Sequence, residues 1–213
     1  MTLNTLTKPH PLGWLPNFLT LSRIISIPLI MWGILSINTQ APHVLGRPTV
    51  ILILFLLAGL TDFLDGYFAR RWNVTSDFGR MIDPIADKLL VAGCFIALAI
   101  VVEGHPLFMI PAIAIIFRDI LVSGVREHAA LTGRVMPPTN LAKWKTACEM
   151  LAIFIFLVWV STKAWMPLID SIPPIVDVSA RAGLTFLWLA AALSVYTGAL
   201  YFRAALKDEF RRD

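Results

Sequence analysis

Residues 62–88 read DFLDGYFARRWNVTSDFGRMIDPIADK, and the runs on either side are apolar: PTVILILFLLAGLT over 48–61 and LLVAGCFIALAIVV over 89–102. Four aspartates therefore stand between two apolar segments. Asp62 and Asp65 are spaced i, i+3, and Asp83 and Asp87 are spaced i, i+4, so each pair falls on one face of its helix. The short linker between the pairs reverses the chain. The two helices are then neighbours, and the four carboxylates converge. Carboxylates crowded together in a low dielectric cannot all stay ionised without counter-charge. Lys and Arg pairing is one source of it. Divalent cations are another, and hard oxygen ligands suit Mg²⁺ or Mn²⁺. The small residues Gly66, Ala69 and Gly79 leave room for a bulky polar group against the backbone, or for close helix packing.

The rest of the chain explains where such a site would sit. The sequence is 57% hydrophobic and 15% charged, with a mean hydropathy of +0.74. A soluble domain carries about 25% charged residues, so the composition points to a membrane protein. Six apolar stretches recur, at 24–37, 48–61, 89–102, 104–117, 150–162 and 182–202. Only the last reaches the roughly 20 residues a spanning helix needs. The others become long enough by taking in nearby charges: Asp62 and Asp65 in the second, Asp83 and Asp87 in the third, Arg118 and Asp119 in the fourth, Glu149 in the fifth. Charges inside membrane helices are costly and read as functional. The expected fold is all-α: a polytopic membrane protein of six transmembrane helices around a polar cavity.

Charge asymmetry orients the bundle. With the N-terminus in the cytoplasm, the outer loops hold Arg47, Lys163 and Arg181, and the other fifteen of the eighteen Lys and Arg lie at cytoplasmic ends. Both termini and the cavity then face the cytoplasm. Residues 1–213 form one domain, with 1–16 as a juxtamembrane segment and no apolar h-region of a signal peptide near the start. Residues 128–142 and 163–180 are expected as loops, the second marked by Pro173-Pro174. Cys94 and Cys148 lie in apolar surroundings and read as buried small hydrophobes.

The spacing Asp62-x2-Asp65-Gly66-x2-Ala69-Arg70-x8-Gly79-x3-Asp83-x3-Asp87 resembles the signature of the CDP-alcohol phosphatidyltransferases, with every fixed position present. The apolar pattern is similar to that family's six-helix fold over nearly the whole chain. The resemblance implies that Asp62, Asp65, Asp83 and Asp87 hold two Mg²⁺ or Mn²⁺ ions and that Asp87 doubles as general base. It implies a CDP-lipid site formed by Asp62, Gly66, Ala69, Arg70 and Gly79, with CDP-diacylglycerol as donor and CMP as leaving group. It also implies a homodimer. Arg71 fits a snorkelling side chain at the membrane edge.

Two looser segments bear on the acceptor. Asn17-x2-Thr20-x2-Arg23 and the run RDILVSGVRE over 118–127, followed by KWKT at 143–146, resemble the phosphatidylglycerophosphate synthase branch, although residue 119 is Asp where Glu is usual. That branch implies glycerol 3-phosphate as acceptor, phosphatidylglycerophosphate as product, a bacterial inner membrane, and Asn17, Thr20 and Arg23 as candidate acceptor-pocket residues. The charges agree in direction. Arg118, Arg126, Lys143 and Lys145 supply cations for an acceptor phosphate, and arginine can bind it with a bidentate fork. Basic residues in an inner loop are also what topology alone requires. Asp119 can simply pair with Arg118. Serine as acceptor would need fewer cations, whereas charge does not separate glycerol 3-phosphate from inositol phosphate or phosphatidylglycerol.

A divalent-cation transporter is the alternative of another class. Transport sites lie near the midplane at a repeat interface. Here the carboxylates gather at one end, and no repeat is visible. The net charge of +4 is accounted for by topology, without a nucleic-acid partner. His10, His43, His105 and His128 share no metal-ligand spacing.

Overall fold

The computed structural model describes residues 15–37, 46–72, 77–131, 140–165 and 173–209, and every regular element among them is helical. Six helices follow in order: α1 (Leu15–Leu35), α2 (Gly46–Trp72), α3 (Asp77–Val101), α4 (Pro106–Leu131), α5 (Asn140–Trp165) and α6 (Pro173–Glu209). The helices run through the charged residues as the apolar lengths required. Asp62 and Asp65 are within α2, Asp83 and Asp87 within α3, Arg118 and Asp119 within α4, and Glu149 within α5.

Five helices, α1 and α3 to α6, are long and apolar enough to cross a membrane. The apolar part of α2 is confined to Pro48–Thr61, because the aspartates begin at the next residue. Its full 27 residues nevertheless extend for about 40 Å, more than the thickness of a bilayer core. The outward faces are apolar. On α1 the exposed side chains Phe18, Leu21, Ile25, Leu29 and Trp32 repeat every three or four residues and make one stripe. This is an integral membrane protein with lipid-facing hydrophobic surfaces.

Two loop expectations change. Helix α4 continues through His128 to Leu131, because Glu127–Leu131 contains no helix breaker. Pro173-Pro174 does not mark a loop but opens α6. A helix's first residues need no intrahelical N–H, so proline is accommodated there. The corner between α3 and α4 is fixed by local chemistry. Glu103 and Gly104 take positive φ (54° and 66°), and the amide of Gly104 donates to the Ala99 carbonyl at 2.8 Å while that of Glu103 donates to Ile100 at 3.1 Å. This is a Schellman closure with Glu103 at the left-handed position. His105 then caps α4, its Nδ1 accepting from the Leu107 amide at 3.3 Å, ahead of Pro106 in the first turn.

Helix α1 packs on α2 and α3, α6 packs on α4 and α5, and α2 and α3 join the two groups by contacts with α5 and, for α3, with α4. Edge-to-face rings link these groups. Phe108 of α4 stands 6.2 Å from Phe95 of α3 and 4.9 Å from Phe156 of α5. Close approach elsewhere uses small residues: a Cβ on Gly33 of α1 would come within 2.7 Å of Ile51 of α2.

Candidate active site

Among the described residues, the charged groups buried between helices and their partners collect at one end: the start of α1, the first half of α3, the later halves of α4 and α6, and the start of α5. Three contacts between helices define it. Thr20 of α1, 3% exposed, donates from Oγ1 to Asp83 Oδ1 of α3 at 2.7 Å. Lys88 of α3 donates to the hydroxyl of Ser123 of α4. Lys145 of α5 reaches Asp119 of α4 at 2.5 Å.

On the carboxylate side, the helical backbone of α2 sets Asp62 and Asp65 one turn apart, with Gly66, Ala69 and Arg70 on the following turn. The side chains of Asp62, Asp65 and Arg70, like the placement of Gly66 and Ala69 against their surroundings, lie outside the described residues, as does the side chain of Asn17. On α3, Gly79 is buried, and Asp83 and Asp87 are half-buried on one face. That face points toward α1, because Thr20 meets Asp83. Arg23, one turn after Thr20, is 1% exposed inside the bundle. Arg71 is committed to the periphery: its guanidinium bonds the Tyr67 hydroxyl at 2.5 Å and lies 5.8 Å from the centre of that ring.

The cation side is a buried lattice. Arg118 Nη1 bonds Asp119 Oδ1 at 2.9 Å, and Arg118 Nη2 donates to Thr197 Oγ1 of α6 at 2.8 Å. Lys145, besides Asp119, meets Glu149 Oε1 one turn later at 3.1 Å. The side chains of this foursome are 1–14% exposed, so their charges act in a poorly solvated interior. Gly198 makes room for the arginine, since a Cβ there would come within 2.9 Å of Arg118 Cγ. Arg126 and Lys143 are exposed at the same end. The contact of Lys88 with Ser123 joins α3, which carries Asp83 and Asp87, to α4, which carries Arg118 and Asp119.

The structure thus brings Thr20 and Asp83 together, and Arg118 and Lys145 around Asp119. It does not put Arg118 and Arg126 in one environment, because the first turns into α6 and the second outward. Sequence reasoning missed Lys88, Ser123, Thr197 and Gly198. Ser123 and Thr197 are polar residues within apolar helices, and Lys88 adjoins Asp87; those were the available signals.

A metal would find suitable donors here. Asp83 and Asp87 offer hard carboxylate oxygens one turn apart, one of them already oriented by a hydroxyl. Among the described residues, no group of three or more His, Cys, Asp and Glu stands together as a metal site.

Comparison with known proteins supplies the context for this geometry. The profile of the CDP-alcohol phosphatidyltransferase family matches residues 13–197. The "CDP-diacylglycerol--glycerol-3-phosphate 3-phosphatidyltransferase" of Rickettsia bellii (strain RML369-C) is 41% identical over 193 residues, covering 91% of this chain and 96% of the relative. The protein of the same name from Cereibacter sphaeroides is 33% identical over 225 residues, covering 93% and 100%. A "Cardiolipin synthase (CMP-forming)" of Oryza sativa subsp. japonica is 34% identical over 206 residues, covering 92% of this chain and 58% of the relative. The chain belongs to the CDP-alcohol phosphatidyltransferase family.

Proposed function

We propose that this enzyme transfers the phosphatidyl group of CDP-diacylglycerol to glycerol 3-phosphate, giving phosphatidylglycerophosphate and CMP. The observation that carries the reading is the match, over almost the full length of both chains, to relatives whose names specify this reaction. The polar end of the bundle supports it, because carboxylates on α3 stand beside a cation lattice on α4 and α5.

The acceptor hydroxyl attacks the phosphorus that carries diacylglycerol. A new P–O bond forms to the acceptor, the P–O bond to the cytidylate breaks, and CMP departs. Asp87 takes the hydroxyl proton on a carboxylate oxygen. Thr20 holds Asp83 in one rotamer beside it. Asp62, Gly66, Ala69, Arg70 and Gly79 cradle the CDP head group. Arg118, Arg126, Lys143 and Lys145 attract the acceptor phosphate, with Asn17 and Arg23 at the α1 side of the pocket. Displacement at phosphorus depends mainly on positioning and electrostatics.

Family membership supports dependence on a divalent metal. Asp62, Asp65, Asp83 and Asp87 would hold two Mg²⁺ or Mn²⁺ ions, which when bound supply positive charge to the attacking and leaving oxygens. The acyl chains stay in lipid while the nucleotide meets water. The fifteen-to-three split of basic residues supports a site facing the cytoplasm across a bacterial inner membrane. A homodimer rests on the family resemblance.

Phosphatidylglycerol is the competing acceptor, favoured by the cardiolipin synthase relative. The test is an acceptor panel. Membranes containing the protein receive CDP-diacylglycerol, Mg²⁺ or Mn²⁺, and glycerol 3-phosphate, inositol phosphate, phosphatidylglycerol or serine in turn. Glycerol 3-phosphate should support the fastest CMP release, and faster release with any other acceptor rejects the assignment.

A further inference from the structure

Lys88 has no part in the roles above, yet it occupies the junction between the two halves of the site. It follows Asp87 directly in sequence, about 100° further round α3. Asp83 meets α1 through Thr20, whereas the Lys88 ammonium crosses to Ser123 on α4. The charges of Asp119, Arg126, Asp87 and Lys145 all act on it.

The charge pattern separates Lys88 from its neighbours. Arg118 and Lys145 are already matched by Asp119 and Glu149, two cations against two carboxylates at 2.5–3.1 Å. That foursome is formally neutral. Lys88 is half-buried, and its hydrogen bond among the described residues goes to a neutral hydroxyl. A hydroxyl satisfies one of three ammonium donors and none of the charge. An anion arriving between α3 and α4 would find in Lys88 a cation with no carboxylate hydrogen-bonded to it among the described residues.

We propose that Lys88 is a further acceptor-binding residue, whose ammonium, steered by Ser123, takes the acceptor's phosphate and so selects a phosphorylated alcohol. The inference rests on the phosphatidyl-transfer reading given above. It places the acceptor with its phosphate against Lys88 and its hydroxyl toward the neighbouring Asp87. Lys88 thus joins Arg118 and Lys145 in holding the acceptor phosphate, as the one of the three that no carboxylate hydrogen-bonds among the described residues.

The experiment uses the full-length protein in membranes, with radiolabelled glycerol 3-phosphate and the variants Lys88→Gln, Lys88→Arg and Ser123→Ala. Losing a charge-assisted hydrogen bond to a phosphate should raise the acceptor KM about tenfold or more in Lys88→Gln. The KM for CDP-diacylglycerol should stay within about twofold, since uniform damage to the fold would move both. Lys88→Arg should recover most of the acceptor affinity. If Lys88→Gln fails to accumulate, Ser123→Ala carries the test, with a severalfold rise in acceptor KM and an unchanged donor KM. An unchanged acceptor KM, or an equal rise for donor and acceptor, overturns the proposal and leaves Lys88 a structural tie between α3 and α4. The two readings fail separately. If wild type prefers inositol phosphate and Lys88→Gln raises that KM, the acceptor assignment falls and Lys88 stands. If wild type uses glycerol 3-phosphate and the Lys88 variants leave its KM unmoved, Lys88 falls and the assignment stands. Activity with serine alone overturns both.

Discussion

The hydroxyl of Thr20, near the start of α1, donates a 2.7 Å hydrogen bond to Asp83 on α3. The contact is almost sealed from solvent on the threonine side, and it ties a helix without motif aspartates to one that carries two. Thr20→Val keeps the shape and removes the donor. The half-buried carboxylate then loses a charge-assisted bond worth about 1.5–3 kcal/mol, so activity should fall at least about tenfold and the Mg²⁺ needed for half-activation should rise. Thr20→Ser should restore both. Normal metal activation in Thr20→Val would show that Asp83 is held by other means.

Asp62→Asn, Asp65→Asn, Asp83→Asn and Asp87→Asn should each abolish or nearly abolish CMP release, since each swaps a charged oxygen donor for a neutral amide. Thorough EDTA treatment of the wild type should do the same, with recovery on adding Mg²⁺ or Mn²⁺. Full activity in EDTA contradicts the metal role of all four.

Asp119 holds Arg118 and Lys145 at once, at 2.9 and 2.5 Å. Asp119→Asn takes a carboxylate from two buried cations, leaving Arg118 with none and Lys145 with Glu149 only, and breaking such a buried pair costs about 3–5 kcal/mol. The Tm of the detergent-solubilised protein should drop clearly. Combining Asp119→Asn with Lys145→Met should cost less than the sum of the single changes, because the second removes a cation from which the first had taken a carboxylate. Additive losses would mean that the two residues act independently.

A methyl group at residue 198 would meet the stem of Arg118, not its flexible tip. Gly198→Ala should therefore shift the guanidinium away from Thr197 and raise the acceptor KM severalfold, with the donor KM kept. Equal changes in both would make the Arg118 contact purely structural.

Reporters fused after residue 213 or inserted near residue 135 should read cytoplasm, and reporters near residues 43 and 172 should read the opposite side. An outside reading near residue 135 contradicts the fifteen-to-three charge argument.

Much of this was legible in the chain because membrane helices restrict the choices. Asp62, Asp65, Asp83 and Asp87 had to lie on helices, since irregular backbone in lipid leaves polar groups unsatisfied. The same logic placed Arg118 and Glu149 inside helices. Helix ends were harder to read. Pro173 looks like a loop marker until it is seen in a first turn, where its missing N–H costs nothing. Cross-helix partners were hardest. Nothing in the local sequence pairs Thr20 with Asp83, 63 residues away, or Arg118 with Thr197, 79 residues away; packing alone decides these. Lys145 read as a cation for an acceptor phosphate at a helix end, and its burial was not legible; it is 4% exposed, because Asp119 and Glu149 supply the carboxylates that make burial tolerable.

The central claim is transfer of phosphatidate from a CDP-lipid to glycerol 3-phosphate. The most direct measurement takes the purified full-length protein in detergent micelles with CDP-diacylglycerol, Mg²⁺ and radiolabelled glycerol 3-phosphate, and follows CMP and label together. One CMP should appear for each labelled molecule that becomes lipid-extractable, and Asp87→Asn should form neither. CMP released without labelled lipid, or no reaction with glycerol 3-phosphate while another acceptor is consumed, would contradict the account.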